Sequence, residues 1–180
     1  MIIPIEEVLK RKMVTNRDFA DGEGLVEPEG AGIDIRLLEV WKMIPGKDAF
    51  LGKIKRKTQE YKKVAEFKPG QSDWFTLEPG KMYQFQSVEK MNVPEDTVMR
   101  FIARYNLLAS GIMILGYKAD PGFKGQYSVP LINLSGVPFR IELGARWGQC
   151  EFHRIDGKGV KYRGQWKHGR IYTKKEEVQV

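Results

Sequence analysis

Cysteine and histidine are scarce in this sequence. The 180 residues include one cysteine, Cys150, and two histidines, His153 and His168. A lone cysteine excludes an intramolecular disulfide, and without a cysteine pair the chain cannot assemble the metal site of a zinc-dependent deaminase. Neither histidine lies in a recognisable nucleophile motif, which leaves histidine-based acid–base schemes without support. Any catalytic chemistry must therefore rest on carboxylates and a bound cation.

Long apolar runs are also missing. No segment approaches the ~20 apolar residues of a membrane span, and the N-terminal residues lead into a charged segment rather than the apolar region of a signal peptide. Together with the single cysteine, this predicts a soluble protein in a reducing, cytoplasmic setting. A phosphate-binding loop is excluded because Gly46 and Gly52 are one residue too far apart and Ile54 replaces the required hydroxyl residue.

Short apolar segments separated by turn residues make up most of the chain. With 42% hydrophobic residues, 19 glycines and 9 prolines, this pattern predicts one all-β domain with a sandwich or jelly-roll-like fold. Alternation at Ile33, Ile35 and Leu37 marks the first long strand, after a Gly/Glu-rich loop over residues 21–32. Further strands are predicted over residues 74–77, 82–88, 97–103, 112–116, 127–134, 139–143 and 147–152.

The two ends of the chain differ from this β domain. Pro4 and the acidic residues after it predict a short helix that ends near Met13. The last residues are rich in Gly, Lys and Arg with interleaved aromatics, which predicts an arm that is ordered only where it docks. We therefore divide the chain into a β domain over residues 1–156 and an arm over residues 157–180, on which Trp166 could cover a bound base.

The chain is basic, with 30 Lys and Arg against 23 Asp and Glu, a net charge of +7 and a pI near 9.4. Such a surface attracts polyanions, a class that includes nucleoside triphosphates and nucleic acid. Six basic residues fall within residues 53–63, where Glu60 is the one acid. This segment is either an exposed hairpin or loop, which we favour, or a contact for phosphate or nucleic acid.

Two carboxylates lie among glycines, which let a backbone approach a ligand closely and expose its N–H donors. Asp34 is in Gly-Ala-Gly-Ile-Asp-Ile-Arg-Leu, and Asp120 is in Gly-Tyr-Lys-Ala-Asp-Pro-Gly-Phe-Lys-Gly. Each is a candidate functional residue, and each could equally be an ordinary turn aspartate.

These two segments resemble motifs of the dCTP deaminase/dUTPase superfamily, and the resemblance continues in order along nearly the whole chain. Residues 30–37 are similar to the first motif, and the Asp-Pro-Gly-Phe-Lys-Gly of residues 120–125 is similar to the deaminase form of the third. Residues 104–111 occupy the place of the second motif. The fourth and the C-terminal arm motif are matched by residues 144–149 and 161–165.

The resemblance implies homotrimers of distorted β-sandwich subunits, with active sites at subunit interfaces, an arm that closes over the nucleotide, and Mg²⁺ bound with the triphosphate. In the dUTPase branch, the aspartate that matches Asp120 orients and deprotonates the water that attacks the α-phosphate. Asp34 would lie near the Mg²⁺, through its water shell. By the same resemblance, the nucleotide is contacted by phosphate-binding Arg104, Asn106 and Gln149, by the backbone of Gly122 and Phe123, and by Tyr162 and Gln165 of the arm.

The sequence departs from the deaminase pattern at positions that matter for chemistry. In the deaminases a glutamate ten residues after the third-motif aspartate activates the attacking water, but this chain has Pro130 there. Proline accepts no proton, so deamination is expected to be absent or very slow. In the second motif, Tyr105 and Asn106 replace two serines and Ala109 replaces an arginine, which weakens the predicted contacts with triphosphate.

The resulting hypothesis is a dUTP pyrophosphatase that forms dUMP and diphosphate with Mg²⁺, using Asp120 as general base. Two alternatives stay open: a catalytically inactive trimeric homologue with a binding or regulatory role, and a dCTP deaminase that uses a non-standard carboxylate. Nucleic-acid binding through residues 53–63 and the basic arm is possible but not favoured, and no membrane partner is expected.

Overall fold

The computed structural model describes residues 1–19, 27–46, 48–157 and 159–179. A loop was predicted over residues 21–32. Residues 21–26 of that loop lie outside the described residues. The elements, in chain order, are α1 (Ile5–Lys10), β1 (Val14–Thr15), β2 (Ile33–Met43), β3 (Phe50–Leu51), β4 (Lys55–Lys57), β5 (Tyr61–Glu66), β6 (Trp74–Leu77), β7 (Met82–Asn92), β8 (Thr97–Ala103), α2 (Tyr105–Ala109), β9 (Ile112–Ile114), β10 (Lys118–Ala119), β11 (Lys124–Asn133), β12 (Phe139–Glu142), β13 (Arg146–Arg154) and β14 (Glu177–Val178).

One curled antiparallel sheet contains most of these strands, in the order β10-β8-β13-β2-β7-β11-β9, with β1 also paired to β7 and β5 to β2. The first part of β2 pairs with β13 and its second part with β7 and β5. Register shifts interrupt the ladders of β2 with both β13 and β7, and such bulges bend a strand and increase its twist. The sequence-predicted all-β fold class is confirmed.

The core lies between the two parts of the curled sheet and is rich in aromatic rings. Trp147 is fully buried, and its ring centroid lies 4.9 Å from that of Phe101 and 5.5 Å from that of Phe85. Arg36 and Glu89 are also buried and form an ion pair, with Nε 2.8 Å from Oε1. The pair satisfies both charges where water is excluded.

The two helices are short, and neither has the length or apolar character needed to cross a membrane, in the part of the chain that the structure describes. The N-terminal helix ends at Lys10, three residues before the predicted end. Lys12 has φ 51°, a left-handed conformation that cannot continue a helix. Helix α2, which follows Arg104, was not predicted.

The basic segment over residues 53–63 contains β4 and the start of β5. Strand β4 pairs with β3 to form a hairpin, and on its other edge it pairs with β14 near the C-terminus. Three of its basic side chains form ion pairs with acids: Lys55 with Glu176, Arg56 with Glu177, and Lys63 with Glu39 and Glu66. The hairpin interpretation is confirmed for β3 and β4.

Candidate functional site

A cavity of about 630 Å³, called here the Asp120 cavity, opens between the sheet and the C-terminal arm. Its volume is within the usual range for small-molecule sites. Strands β2, β5, β7 and β11, the segment of residues 117–123, and the arm all contribute to it. The lining residues are Met43, Thr58, Gln59, Tyr61, Met82, Gln84, Tyr117, Lys118, Ala119, Asp120, Phe123, Ser128, Pro130, Tyr162, Trp166, Arg170 and Ile171.

Asp120 directly follows β10, whose pairing with β8 fixes its position at the rim. Its Oδ1 accepts a hydrogen bond from Lys118 Nζ at 2.5 Å, and its backbone carbonyl accepts one from the N–H of Phe123 at 3.0 Å. The carboxylate is partly exposed and can therefore meet both solvent water and a ligand in the cavity. This arrangement provides a proton acceptor beside an ammonium group.

Strands β7 and β11 form one side of the cavity, called here its floor, and none of the described lining residues on it is a carboxylate: Met82, Gln84, Ser128 and Pro130. Pro130 on β11 is directly opposite Gln84 on β7, so the two side chains lie on the same face of the sheet. Ser128, two residues before Pro130, accepts a hydrogen bond from the Gln86 side chain at 3.2 Å. Of the described residues that line the cavity, Asp120 is the one acid.

Tyr117, three residues before Asp120, packs against Tyr127 of β11 with the two rings tilted. Their ring centroids are 4.7 Å apart, and Tyr117 donates a hydrogen bond to the Ser128 carbonyl at 2.8 Å. Tyr117 is half exposed overall, but this hydroxyl points inward. Burial raises the pKa of both the Tyr117 and Tyr127 hydroxyls above the ordinary tyrosine value. Neither hydroxyl therefore supplies a base near neutral pH.

The arm closes one side of the cavity. The N–H of Tyr162 donates to the Pro121 carbonyl at 2.6 Å, and the Tyr162 ring centroid lies 6.1 Å from that of Phe123. Gln165 lies further along the arm, where its Oε1 accepts a hydrogen bond from Arg56 Nη2 at 2.6 Å. Tyr162 therefore reaches the cavity, whereas the Gln165 side-chain oxygen contacts the β3–β4 hairpin.

Asp34 belongs to a separate cluster with Arg104, Arg146 and Gln149, called here the Asp34 cluster. Its Oδ2 accepts hydrogen bonds from Arg104 Nη1 at 3.1 Å and Arg146 Nη1 at 3.0 Å. Asp34 also pairs with Gln149 across β2 and β13. Among the described residues, no donor reaches its buried Oδ1. Both arginines are about one-third exposed, so each has N–H groups available to an anion.

A cleft of about 200 Å³ lies beside the Asp34 cluster, lined by Ala103, Arg104, Tyr105, Asn106 and Gln149. Asn106 is exposed on α2, and Tyr105 is 78% exposed. Tyr105 therefore lines the cleft while most of its side chain remains exposed.

The sequence-predicted residues fall into two groups that do not meet within one subunit. Asp120, Phe123 and Tyr162 line the Asp120 cavity, while Arg104, Asn106 and Gln149 line the cleft; among the residues that the structure describes, none lines both. The N–H of Gly122 donates to the Val93 carbonyl and that of Phe123 to the Asp120 carbonyl. These donors are already used, so Phe123 contributes its ring to the cavity rather than its N–H.

Sequence reasoning missed three charged residues at these sites: Lys118, Arg146 and Arg170. Lys118 and Arg146 lie inside segments that the motif comparison had identified. Their closeness in sequence to Asp120 and Gln149 was therefore a signal that could have identified them. Arg170 gave no such signal, because it lies outside every motif, and Arg56, which contacts the arm, was noted only as part of the basic segment over residues 53–63.

The described side chains do not fit a metal site held by the protein itself. Among them, no group of three or more His, Cys, Asp and Glu residues converges in a way that could hold a metal. Asp34, the predicted magnesium neighbour, already faces two guanidinium groups, and two positive charges oppose the approach of a divalent cation. Ligands for Mg²⁺ would have to come largely from phosphate oxygens and water.

Comparison with known proteins defines the class to which this fold and this pair of sites belong. A family model described as dCTP deaminase-like matches residues 5–155. The chain is a member of the dCTP deaminase-like family, which confirms the resemblance recognised in its motifs.

Individual relatives divide between two activities. A probable deoxyuridine 5'-triphosphate nucleotidohydrolase from Methanopyrus kandleri is 33% identical over 136 residues, which cover 76% of this chain and 84% of that protein. A dUMP-forming dCTP deaminase from Dictyoglomus turgidum is 27% identical over 156 residues, 84% of this chain and 77% of that one.

A crystal structure of 2'-deoxycytidine 5'-triphosphate deaminase from Agrobacterium tumefaciens is similar in fold, with a TM-score of 0.60 at 14% identity. The matched region covers 85% of this chain and 48% of that protein, so this chain spans about half the length of the deaminase. At this identity the similarity shows the shared fold.

Proposed function

We propose that this protein hydrolyses dUTP to dUMP and diphosphate. The observation that carries the proposal is the lining of the Asp120 cavity, where one carboxylate, Asp120, stands at the rim and Pro130 and Gln84 form an uncharged floor. A water molecule beside Asp120 therefore has a proton acceptor next to it. A pyrimidine ring that lies on the floor has no carboxylate beside it. The similarity to the Methanopyrus kandleri nucleotidohydrolase points to the same activity.

In this reaction Asp120 orients a water molecule and accepts its proton as the oxygen attacks the α-phosphorus. The bond from that phosphorus to the oxygen bridging the α- and β-phosphates breaks, and diphosphate leaves with the bond's electron pair. Lys118, 2.5 Å from Asp120, offsets the repulsion between the carboxylate and the triphosphate. Phe123 and Tyr162 supply aromatic surface against the pyrimidine.

The triphosphate needs more positive charge than the Asp120 cavity provides. Arg104 and Arg146 form a guanidinium pair suited to phosphate oxygens, and Asp34 holds both in place through Oδ2. Asn106 and Gln149, beside them, offer amide N–H donors. Because this cluster and the cavity lie apart in one subunit, we propose that each active site joins the cavity of one subunit to the Asp34 cluster of a neighbour in a homotrimer.

Exposed apolar residues on α2, which follows Arg104, and on or next to β9, which contacts α2, support such an assembly. Leu108 on α2, Met113 on β9 and Leu115 are each close to half exposed, and Tyr105 is more exposed still. Surfaces of this kind are usually covered by a partner. Sedimentation of the purified protein would give the mass of a trimer if the proposal holds and that of a monomer if it does not.

The arm over residues 157–180 is a functional unit of its own in this proposal, and residues 1–156 form the β domain that carries it. Mg²⁺ would arrive with the nucleotide phosphates, since the described side chains provide no site for it. Hydrolysis that persists in chelator would show that Mg²⁺ is not required.

The test is incubation of the purified protein with dUTP or dCTP in Mg²⁺, with products resolved by chromatography and Asp120→Asn assayed in parallel. We expect dUMP and diphosphate from dUTP, with the rate reduced by a factor of about 10² to 10⁴ in Asp120→Asn. Asp156→Asn, at an exposed turn, is the matched control and should leave the rate unchanged.

Two other outcomes would replace this proposal. Formation of dUTP or dUMP from dCTP would show that deamination proceeds without a carboxylate on the cavity floor. Absence of any product, together with no rise in melting temperature on adding either nucleotide, would identify a non-catalytic homologue, because a ligand that binds the native state must stabilise it.

A further inference from the structure

A group of side chains, called here the arm anchor, attaches the arm to the rest of the subunit: Arg56, Trp166, Arg170 and Glu177. Arg56 Nε and Nη2 contact Glu177 Oε1 at 3.0 and 2.9 Å, and Arg170 Nη2 contacts Glu177 Oε2 at 2.5 Å. One carboxylate on the arm therefore joins two guanidinium groups, one of which belongs to the β3–β4 hairpin.

Both guanidinium groups also lie against the same aromatic ring. The Cζ atoms of Arg56 and Arg170 are 5.1 and 5.0 Å from the ring centroid of Trp166, distances at which a cation is attracted to an indole face. Two cations near one ring repel each other, and Glu177 compensates for that repulsion. Trp166 in turn lines the Asp120 cavity, so the anchor sets the position of a cavity wall.

Backbone contacts accompany the anchor on the same side of the subunit. Strand β14 pairs with β4, matching Glu177 to Arg56. The N–H of Thr58 donates to Thr173 Oγ1 and the N–H of Thr173 donates to Thr58 Oγ1, each at 2.9 Å, and Thr173 is fully buried. All of these contacts are made within one chain.

We propose that Arg56 and Glu177 are positioning residues that dock the arm in the nucleotide-free subunit and so fix Trp166 as a preformed wall of the Asp120 cavity. The docking of the arm is inferred from contacts within the chain. The expected effect of Trp166 on nucleotide binding rests on the proposed function. The basic segment over residues 53–63 thereby has a definite role: it is the platform on which the arm docks. Substrate then meets a closed wall rather than an arm that must first become ordered, which lowers the entropic cost of binding.

The experiment compares Arg56→Gln and Glu177→Gln with wild-type protein and with Lys55→Gln. The Lys55–Glu176 ion pair joins the same two segments, at 2.5 Å, but both side chains are about half exposed, and the cations over the Trp166 ring are those of Arg56 and Arg170. Amide hydrogen exchange of residues 165–179 is measured without nucleotide. We expect protection of Thr173 and Gln179 in wild-type protein and in Lys55→Gln, and exchange at least ~10-fold faster in the two anchor variants.

The second measurement is steady-state hydrolysis of dUTP by the same four proteins. Loss of the wall should raise KM about 10-fold and change kcat by less than about 2-fold, since the anchor does not touch the reacting atoms. Trp166→Phe, which keeps an aromatic ring, should give a smaller rise in KM than Trp166→Ala.

The outcomes separate the inference from the proposed function. Unprotected arm amides in the wild-type protein, or protection unchanged in Arg56→Gln and Glu177→Gln, would overturn the docking. Faster exchange with an unaltered KM would overturn the role of Trp166 as a wall. Failure of wild-type protein to hydrolyse dUTP would refute the proposed function, while the exchange data would still decide whether the anchor docks the arm.

Discussion

Pro130 and Gln84 are direct partners across β11 and β7, and both side chains line the floor of the Asp120 cavity. Proline has no N–H to donate to the sheet, but the Pro130 carbonyl accepts a hydrogen bond from the N–H of Leu115 at 3.0 Å. At the floor, a bound pyrimidine would therefore contact the amide of Gln84 and the hydrocarbon ring of Pro130. An amide offers one donor and one acceptor, which can pair with uracil without transferring a proton.

Placing a carboxylate on this floor should change which base is preferred. In Pro130→Glu the new side chain would accept hydrogen bonds from the exocyclic amine of cytosine and repel the O4 oxygen of uracil, as carboxylates do when they read cytosine. We expect the ratio of dCTP to dUTP affinity, measured by thermal shift, to rise by about 10-fold. Pro130→Gln has the same length without the charge and should leave the ratio near its wild-type value; an equal change in both variants would refute a charge effect.

Arg146 should contribute to nucleotide binding as much as Arg104 does. The two guanidinium groups lie at nearly equal distances from Asp34 Oδ2, so either one can present N–H donors to phosphate. Arg146→Ala should raise KM for dUTP by about 10- to 100-fold, the cost of losing a charged hydrogen bond. Arg140→Ala removes an exposed arginine that lies over Trp74 and serves as the control. Equal KM values in the two variants would remove Arg146 from the site.

Much of the sheet was predictable because alternation and turn residues are local signals. The strands expected over residues 74–77 and 97–103 coincide with β6 and β8. Helix α2 was missed because five residues, between Arg104 and Ser110, are too few for a helical period to show. Strands β4 and β14 were missed for another reason: each has only two or three residues, and Arg56 and Glu177 are 121 positions apart.

The site was predictable residue by residue but not as an arrangement. Motif similarity identified Asp34 and Asp120, yet no local pattern shows that Asp34 faces Arg146 while Asp120 faces Lys118. Those pairings depend on the register of β13 against β2 and of β10 against β8. Register is set by packing over the whole sheet, and this is why the separation of the two groups emerged only from the structure.

Protonation of Glu177 should release the arm at acid pH. Burial tends to raise the pKa of this carboxyl, but the hydrogen bonds and charges of Arg170 and Arg56 outweigh it and hold the pKa below the ordinary value of 4.5. Because the pKa is lower in the docked arm than in the free arm, ionised Glu177 stabilises docking. This stabilisation is fully present at a pH above the ordinary glutamate pKa, and it is lost as the pH falls through the lower pKa of the docked state. Gln165, which bonds to Arg56, does not titrate in this range, and the nearby Lys55–Glu176 pair is largely solvent-screened.

The release can be followed by limited proteolysis of the arm between neutral pH and pH ~3 with an acid-active protease. The arm should become cleavable only below the ordinary glutamate pKa, at a pH where near-ultraviolet circular dichroism still shows a native core. Glu177→Gln should be cleavable throughout, with no acid step. A wild-type arm that stays protected until the core itself unfolds would contradict the prediction.

Gly125 should be required for the arm to approach β11. A Cβ at this position would lie 2.7 Å from the backbone N and Cα of His168, and the residue has φ +134°. Gly125→Ala should therefore expose the arm to proteolysis and raise KM for dUTP, in addition to a backbone strain of about 1–3 kcal/mol. Gly136→Ala separates the two effects, because Gly136 also has a positive φ, +79°, but a Cβ there meets nothing within 4 Å. If both variants lower the melting temperature but only Gly125→Ala frees the arm, contact with His168 is the cause; if both leave the arm protected, the close approach does not hold it.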